Sequence, residues 1–219
     1  MKLNKKNVIV SICLIMLSVI YTILVKYVDV APIGPKASRV GFSTLNKFVF
    51  NFLGRSNIWY NITEVLGMIS ILIALFYALI GLYKLIKNKS ILKIDKEIII
   101  LGIFYFVVLL VYLFFEKVII NYRPVLVKGT LEASYPSSHT MLSICICLSA
   151  IIINNKLYKN MRISKIINTL SIIIMITTTI GRLLSGMHWI SDILGGIIIS
   201  ICLSYIFKTV IYSLNEEES

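Results

Sequence analysis

Two short polar segments hold both histidines of the chain and, around them, the residue types that handle phosphate. The first runs from Asn121-Tyr-Arg-Pro through Ser134-Tyr-Pro-Ser-Ser-His139, and the second from Gly181-Arg to His188-Trp-Ile-Ser-Asp192. Pro136 suits the first turn of a helix, with Ser137 and Ser138 following. The free N–H groups and the positive dipole end of such a helix form an anion site, and His139 would sit beside it. In the second segment His188 and Asp192 are four apart, so on a helix they share a face. The carboxylate can then hold the imidazole in one tautomer, as in a catalytic triad. Arg123 and Arg182 add planar, permanently charged donors for phosphate oxygens.

This set suits phosphoryl transfer, one histidine attacking phosphorus and the other protonating the leaving oxygen. No Asp/Glu cluster is present to hold Mg²⁺, so arginines and helix amides would carry the charge; no metal or cofactor is expected. Each feature has a plainer reading: a structural histidine, a helix-surface ion pair, an arginine anchoring a span. Their joint occurrence at one membrane face favours chemistry.

The elements that must position these residues are membrane spans. The chain has 219 residues, 58% hydrophobic and only 15% charged, with mean hydropathy +0.90. Soluble proteins carry about a quarter charged residues. Six apolar blocks, about 8–25, 62–86, 98–115, 136–153, 166–184 and 189–207, each approach the ~20 residues a crossing helix needs. The expected fold is all-α, a six-span bundle forming one domain over 1–219. Residues 29–61 form an outer loop, and residues 116–196 hold the chemistry. The first block follows three lysines, but no small-x-small cleavage site follows it, so it reads as a retained span.

The net charge of +12 does not point to nucleic acid, because Lys and Arg punctuate the ends of apolar blocks. Thirteen of the 22 fall on one side: Lys2, Lys5, Lys6, the Lys84–Lys96 and Lys156–Lys165 connections, and Lys208. That side should be cytoplasmic, with both termini, leaving the two polar segments outside. The four cysteines lie in apolar blocks and read as buried small hydrophobes, with no disulfide or metal pattern. In the first outer loop Phe42, Leu45, Phe48, Val49 and Phe52 recur near helical spacing. That stretch either lies flat among lipid headgroups or packs its aromatics on the bundle. Asn61-Ile-Thr-Glu64 reads as a capping box opening the second span.

The two segments resemble the type 2 phosphatidic acid phosphatase family, whose active-site architecture is shared with vanadium-dependent haloperoxidases. The family's motifs are Lys-x6-Arg-Pro, Pro-Ser-Gly-His and Ser-Arg-x5-His-x3-Asp. Here the second reads Pro136-Ser137-Ser138-His139, and the third Gly181-Arg182-x5-His188-x3-Asp192. The first keeps only Arg123-Pro124; Glu116 stands where the family has lysine, with Lys117 one position on. The resemblance implies a phosphatase/haloperoxidase-like core. It implies His188 as nucleophile, oriented by Asp192, and His139 as general acid. Arg123, Arg182, Ser137, Ser138 and Lys117 would bind phosphate.

The substrate implied is a phosphate next to a lipid tail: an isoprenyl diphosphate, phosphatidylglycerol phosphate or phosphatidate. The alternative is a degenerate member that binds lipid phosphate without turnover, motivated by Glu116. A transporter fits less well, since the polar residues cluster at one face and not at the midplane.

Overall fold

The computed structural model describes residues 4–158 and 161–214. Six helices among them are long and apolar enough to cross a membrane. They are α1 (Lys5–Tyr27), α3 (Asn57–Asn88), α4 (Lys96–Lys117), α5 (Ser138–Leu157), α6 (Arg162–Leu184) and α7 (Ile190–Ser213); a shorter helix, α2 (Ser43–Leu53), lies between α1 and α3. The fold is all-α, as expected, with only isolated β-bridges in the loops of the described residues. Lys2 and Lys159, counted above among the inner basic residues, lie outside the described residues.

The helix ends differ from expectation where they matter for the site. Helix α3 starts at Asn57, ahead of the expected Ile62, because Ser56 Oγ accepts from Trp59 N at 3.4 Å. Asn61 and Glu64 therefore lie inside a running helix, and the expected capping box does not form. Helix α5 starts at Ser138, leaving Pro136 outside it and Ser137 at the N-cap. Helix α7 starts at Ile190, capped by Trp189 in an extended conformation (φ −73°, ψ 156°). His188 is thus outside the helix and shares no helical face with Asp192. The cause is Asp192 itself, whose Oδ2 accepts from Trp189 N at 3.0 Å and fixes the helix start.

Helices α5 and α7 form the core, with 61% and 56% of their spanning windows buried against 6% for α1. Their buried faces are built from small residues, including Ser143, Cys145, Cys147 and Ala150 on α5 and Gly195, Gly196, Ser200 and Ser204 on α7. Small side chains let backbones approach where apolar bulk gains nothing over lipid. Helix α5 packs on α3, α6 and α7, and α1 leans on α7. Large apolar side chains such as Met16, Ile71, Phe106 and Ile173 point outward, as suits hydrocarbon and not water. At 32 residues, α3 is about 48 Å long and exceeds a ~30 Å hydrocarbon layer. Trp59 and Tyr60 lie near one end and Lys84, paired with Asp95, near the other. Cys145, Cys147 and Cys202 are buried as expected, but Cys13 faces outward.

The loops at one end interlock above the core. Asn46 on α2 donates to Ser191 Oγ at 2.9 Å and accepts from Ser191 N at 3.1 Å, tying α2 to α7. Gly41 N donates to Asn121 Oδ1 at 2.9 Å, joining the first loop to the second. The aromatic stretch around α2 divides its roles. Phe42 packs on Tyr21 and Phe50 on Trp189, while Phe48 and Phe52 stack on each other and face outward. Asp29 accepts from Thr44 N at 2.7 Å and Ser43 Oγ at 2.9 Å, which holds its carboxyl below the usual range.

Candidate active site

The loop between α4 and α5 carries half of the site. It folds back through the bridge Tyr122↔Ala133, with Arg123 N donating to Glu132 O at 3.1 Å and Ser134 N to Asn121 O at 2.9 Å. This presents Arg123, Glu132 and Ser134 toward the start of α7. Gly195 on α7 makes room: a Cβ there would collide with the Tyr135 ring.

His188 meets this loop and is 3% exposed. Its Nδ1 lies 2.9 Å from the Ser134 carbonyl and 3.2 Å from Ser134 Oγ. A carbonyl oxygen only accepts, so in the neutral ring Nδ1 carries the proton. Nε2 is then a bare lone pair, 3.4 Å from Arg123 Nη1. Burial first, then the Arg123 and Arg182 guanidinium groups and His139, hold the imidazole well below its ordinary pKa. The ring is thus neutral and unprotonated at Nε2, the state a nitrogen nucleophile requires.

Asp192 reaches His188 only through Ser134. Its Oδ2 accepts from Ser134 Oγ at 2.5 Å, and its Oδ1 from Asn121 Nδ2 at 3.2 Å. With Trp189 N, and Ser191 Oγ at 3.5 Å from Oδ1, four donors meet this fully buried carboxylate. The direct His188–Asp192 pair expected from spacing is replaced by a relay in which the Ser134 hydroxyl is the middle member.

Arg123 Nε lies 3.4 Å from Glu132 Oε2, within ion-pair range but without hydrogen-bond geometry. The pocket here is lined by Arg123, His188, Ser134, Ser138, Tyr112 and Glu116, among others. Lys117, His139 and Arg182 are not part of this lining; Lys117 is exposed at the last position of α4. The α-helix runs on through it, so the one-residue offset turns its side chain by about 100° and leaves Glu116 facing the pocket.

Ser138 lines the pocket at the start of α5, where first-turn amides have no helical partner. Ser137 does not line it. Its N–H donates to Asp192 O at 3.0 Å, its hydroxyl accepts from Thr140 Oγ1 at 3.1 Å, and it is fully buried. Its observed part is to clamp α5 onto α7, and its amide is already used.

His139 and Arg182 meet on a residue expected only to cap a helix. Glu64 Oε1 lies 3.2 Å from His139 Nε2 and accepts from Arg182 Nη1 at 2.9 Å. Arg182, 1% exposed, also donates to Thr63 Oγ1 at 3.3 Å and sits over the Tyr60 ring, while its Nε has no hydrogen-bond partner. Sequence reasoning missed Glu64, Ser134 and Asn121. Glu64 had a readable signal, being the only charge in α3 before Lys84, and ionisable groups within spans mark function. Ser134 and Asn121 had none beyond lying in a polar segment.

Residues 114–216 match the family model described as the PAP2 superfamily. No curated protein sequence matches the chain. Among solved structures, the chain is similar in fold to the crystal structure of the first transmembrane PAP2 type phosphatidylglycerolphosphate phosphatase from Bacillus subtilis. The TM-score is 0.57 at 15% identity, over 95% of this chain and 97% of that one.

Proposed function

With residues 114–216 matching the PAP2 superfamily model, we propose that this chain is a member of that family, an integral membrane phosphatase that removes phosphate from a lipid through a phosphohistidine. The observation that carries the reading is His188: its Nδ1 lies on the Ser134 carbonyl and its Nε2 lone pair is beside Arg123 in a pocket. Nε2 attacks phosphorus, the bond from phosphorus to the lipid oxygen breaks, and that oxygen takes a proton from His139. Water then gives a proton to His139 and attacks the phosphohistidine, releasing phosphate and neutral His188. Asp192 acts through Ser134 on the His188 ring. Arg123, Arg182 and the first-turn amide of Ser138 bind phosphate, their charge and dipoles offsetting what develops in the transition state.

A lipid substrate is supported by an apolar groove of about 390 Å³ between α1, α4 and α7. Phe115 lines both this groove and the phosphate pocket, so a tail in the groove ends beside a phosphate. Isoprenyl diphosphates, phosphatidylglycerol phosphate and phosphatidate all fit that description. The site is assigned to the outer face, with both termini cytoplasmic, by the excess of Lys and Arg at the opposite end.

A second reading, binding of lipid phosphate without turnover, is favoured by Glu116, whose carboxylate lines the pocket and opposes an anion. One assay separates the two. Phosphate release from the three lipids is measured in detergent with a chelator present, for the parent and for His188→Ala. The expected result is release by the parent and a loss of at least about 100-fold in the variant. Equal release by both sinks the nucleophile; no release by the parent, with lipid still bound, establishes the second reading.

A further inference from the structure

Helix α3 lies outside the 114–216 segment, yet one of its faces is fitted to the site. Glu64 bridges His139 Nε2 and Arg182 Nη1 at 3.2 and 2.9 Å. Thr63 and Tyr60, on the same helix, hold the Arg182 guanidinium from one side. Gly67, one turn beyond Glu64, leaves room for the imidazole, since a Cβ there would stand 2.8 Å from His139 Cδ2. On α6, Gly181 admits Thr63, whose Cγ2 would lie 2.6 Å from an added Cβ. Three glycine and hydroxyl positions thus shape α3 to bring one carboxylate to two functional groups.

Resting on the phosphatase reading above, we propose that Glu64 is a positioning residue for phosphoryl transfer: it fixes the His139 ring and favours its protonated form. The charged and titratable groups acting on His139 are Glu64 from α3, Arg182 from α6, Arg123 from the α4–α5 loop and His188 from the α6–α7 loop. Two are permanent cations, and Glu64 is the anion among these four. Burial first, and then the two guanidinium groups, act against a charged ring, and Glu64 acts for it. With Nε2–H donated to Glu64, Nδ1 is the ring nitrogen left to give a proton to the leaving lipid oxygen. The neutral ring that remains keeps its Nε2–H on Glu64, and Nδ1 recovers a proton from the attacking water. Glu64 also balances Arg182, which a helix-anchoring ion pair alone would do; the acid role is what a kinetic test distinguishes.

The test compares parent, Glu64→Gln, Glu64→Asp and His188→Ala as full chains in detergent, reading kcat, KM and the pH profile of kcat on whichever lipid phosphate the parent turns over. Glu64→Gln can still accept from Nε2–H but carries no charge. It is expected to lose roughly tenfold in kcat, with KM unchanged or lower and the basic limb of the profile moved to lower pH. Glu64→Asp keeps the charge and is expected to return the basic limb toward the parent's position. A Glu64→Gln protein with parental kcat and pH profile overturns the proposal, as does a loss of activity with no movement of the limb. If Glu64→Gln elutes aggregated, Glu64→Asp decides, since withdrawing the carboxylate by one methylene lowers kcat if the proposal holds and leaves it parental if not. His188→Ala retaining activity would instead sink the phosphatase reading, independently of Glu64.

Discussion

At the scale of single residues, the Ser134 hydroxyl is the joint between Asp192 and His188, 2.5 Å from one and 3.2 Å from the other. Ser134→Ala removes that joint but keeps the carbonyl that sets the His188 tautomer. The expected outcome is a fall of about tenfold in kcat, the worth of one hydrogen bond of ~1.4 kcal/mol, with KM preserved. A parental kcat would show the relay to be idle. The pH dependence follows from His188. Its pKa is lowered in the folded protein, so the ring becomes protonated only as pH falls below the ordinary value of about 6.5. Activity on a lipid phosphate is therefore expected to hold through pH 6.5, and its acid limb to appear lower; a limb centred above 6.5 would contradict the burial of this ring. His188, Asp192, His139 and both arginines stand out in the sequence by residue type, but the four-residue spacing of His188 and Asp192 does not give their contact, which runs through Ser134. Ser134 does not stand out, because serine serves many purposes and its contacts join segments 54 and 58 residues apart.

At the scale of elements, all six spans are legible because the bilayer imposes length and hydropathy on each. Their ends are not, because caps are local contests. Ser56 starts α3 ahead of the apolar run, and Asp192 starts α7 after His188 instead of before it. Glu64 is misread for the same reason: the residues around it fit a capping pattern, but the helix has already begun. The groove between α1 and α4/α7 is invisible to sequence because its wall is shared by helices far apart in the chain. Its use can be measured with Val19→Trp, which fills the groove from α1. KM should rise for long-chain lipid phosphates and stay unchanged for a short-chain phosphate ester; equal effects on both would place the tail elsewhere.

For the whole molecule, orientation is the open quantity. The carboxy-terminal end of α3 and the loop to α4 carry Lys84, Lys87, Lys89, Lys93 and Lys96, whereas the site loops lie at the opposite end of the bundle. Lys128→Cys is expected to react with a membrane-impermeant maleimide in intact cells, and Lys89→Cys only after permeabilisation. The reverse pattern would turn the proposed outer-face enzyme inside out. The bundle's architecture is readable from hydropathy, yet the division of labour within it is not. Which helices become the core depends on small residues finding one another across α5 and α7, a matter of shape more than of composition.

The Glu64–Arg182 contact bears on how this protein can be cut or recombined. Arg182 belongs to the family-matching half of the chain, and its buried charge is balanced by a residue of the other half. The two halves are therefore not interchangeable modules. A chimera that grafts residues 114–216 onto a foreign anchor without a matching carboxylate inherits a buried guanidinium that has lost its carboxylate partner. The amino-terminal half thus supplies the partners of Arg182 and His139, and the motif-bearing segment alone lacks them.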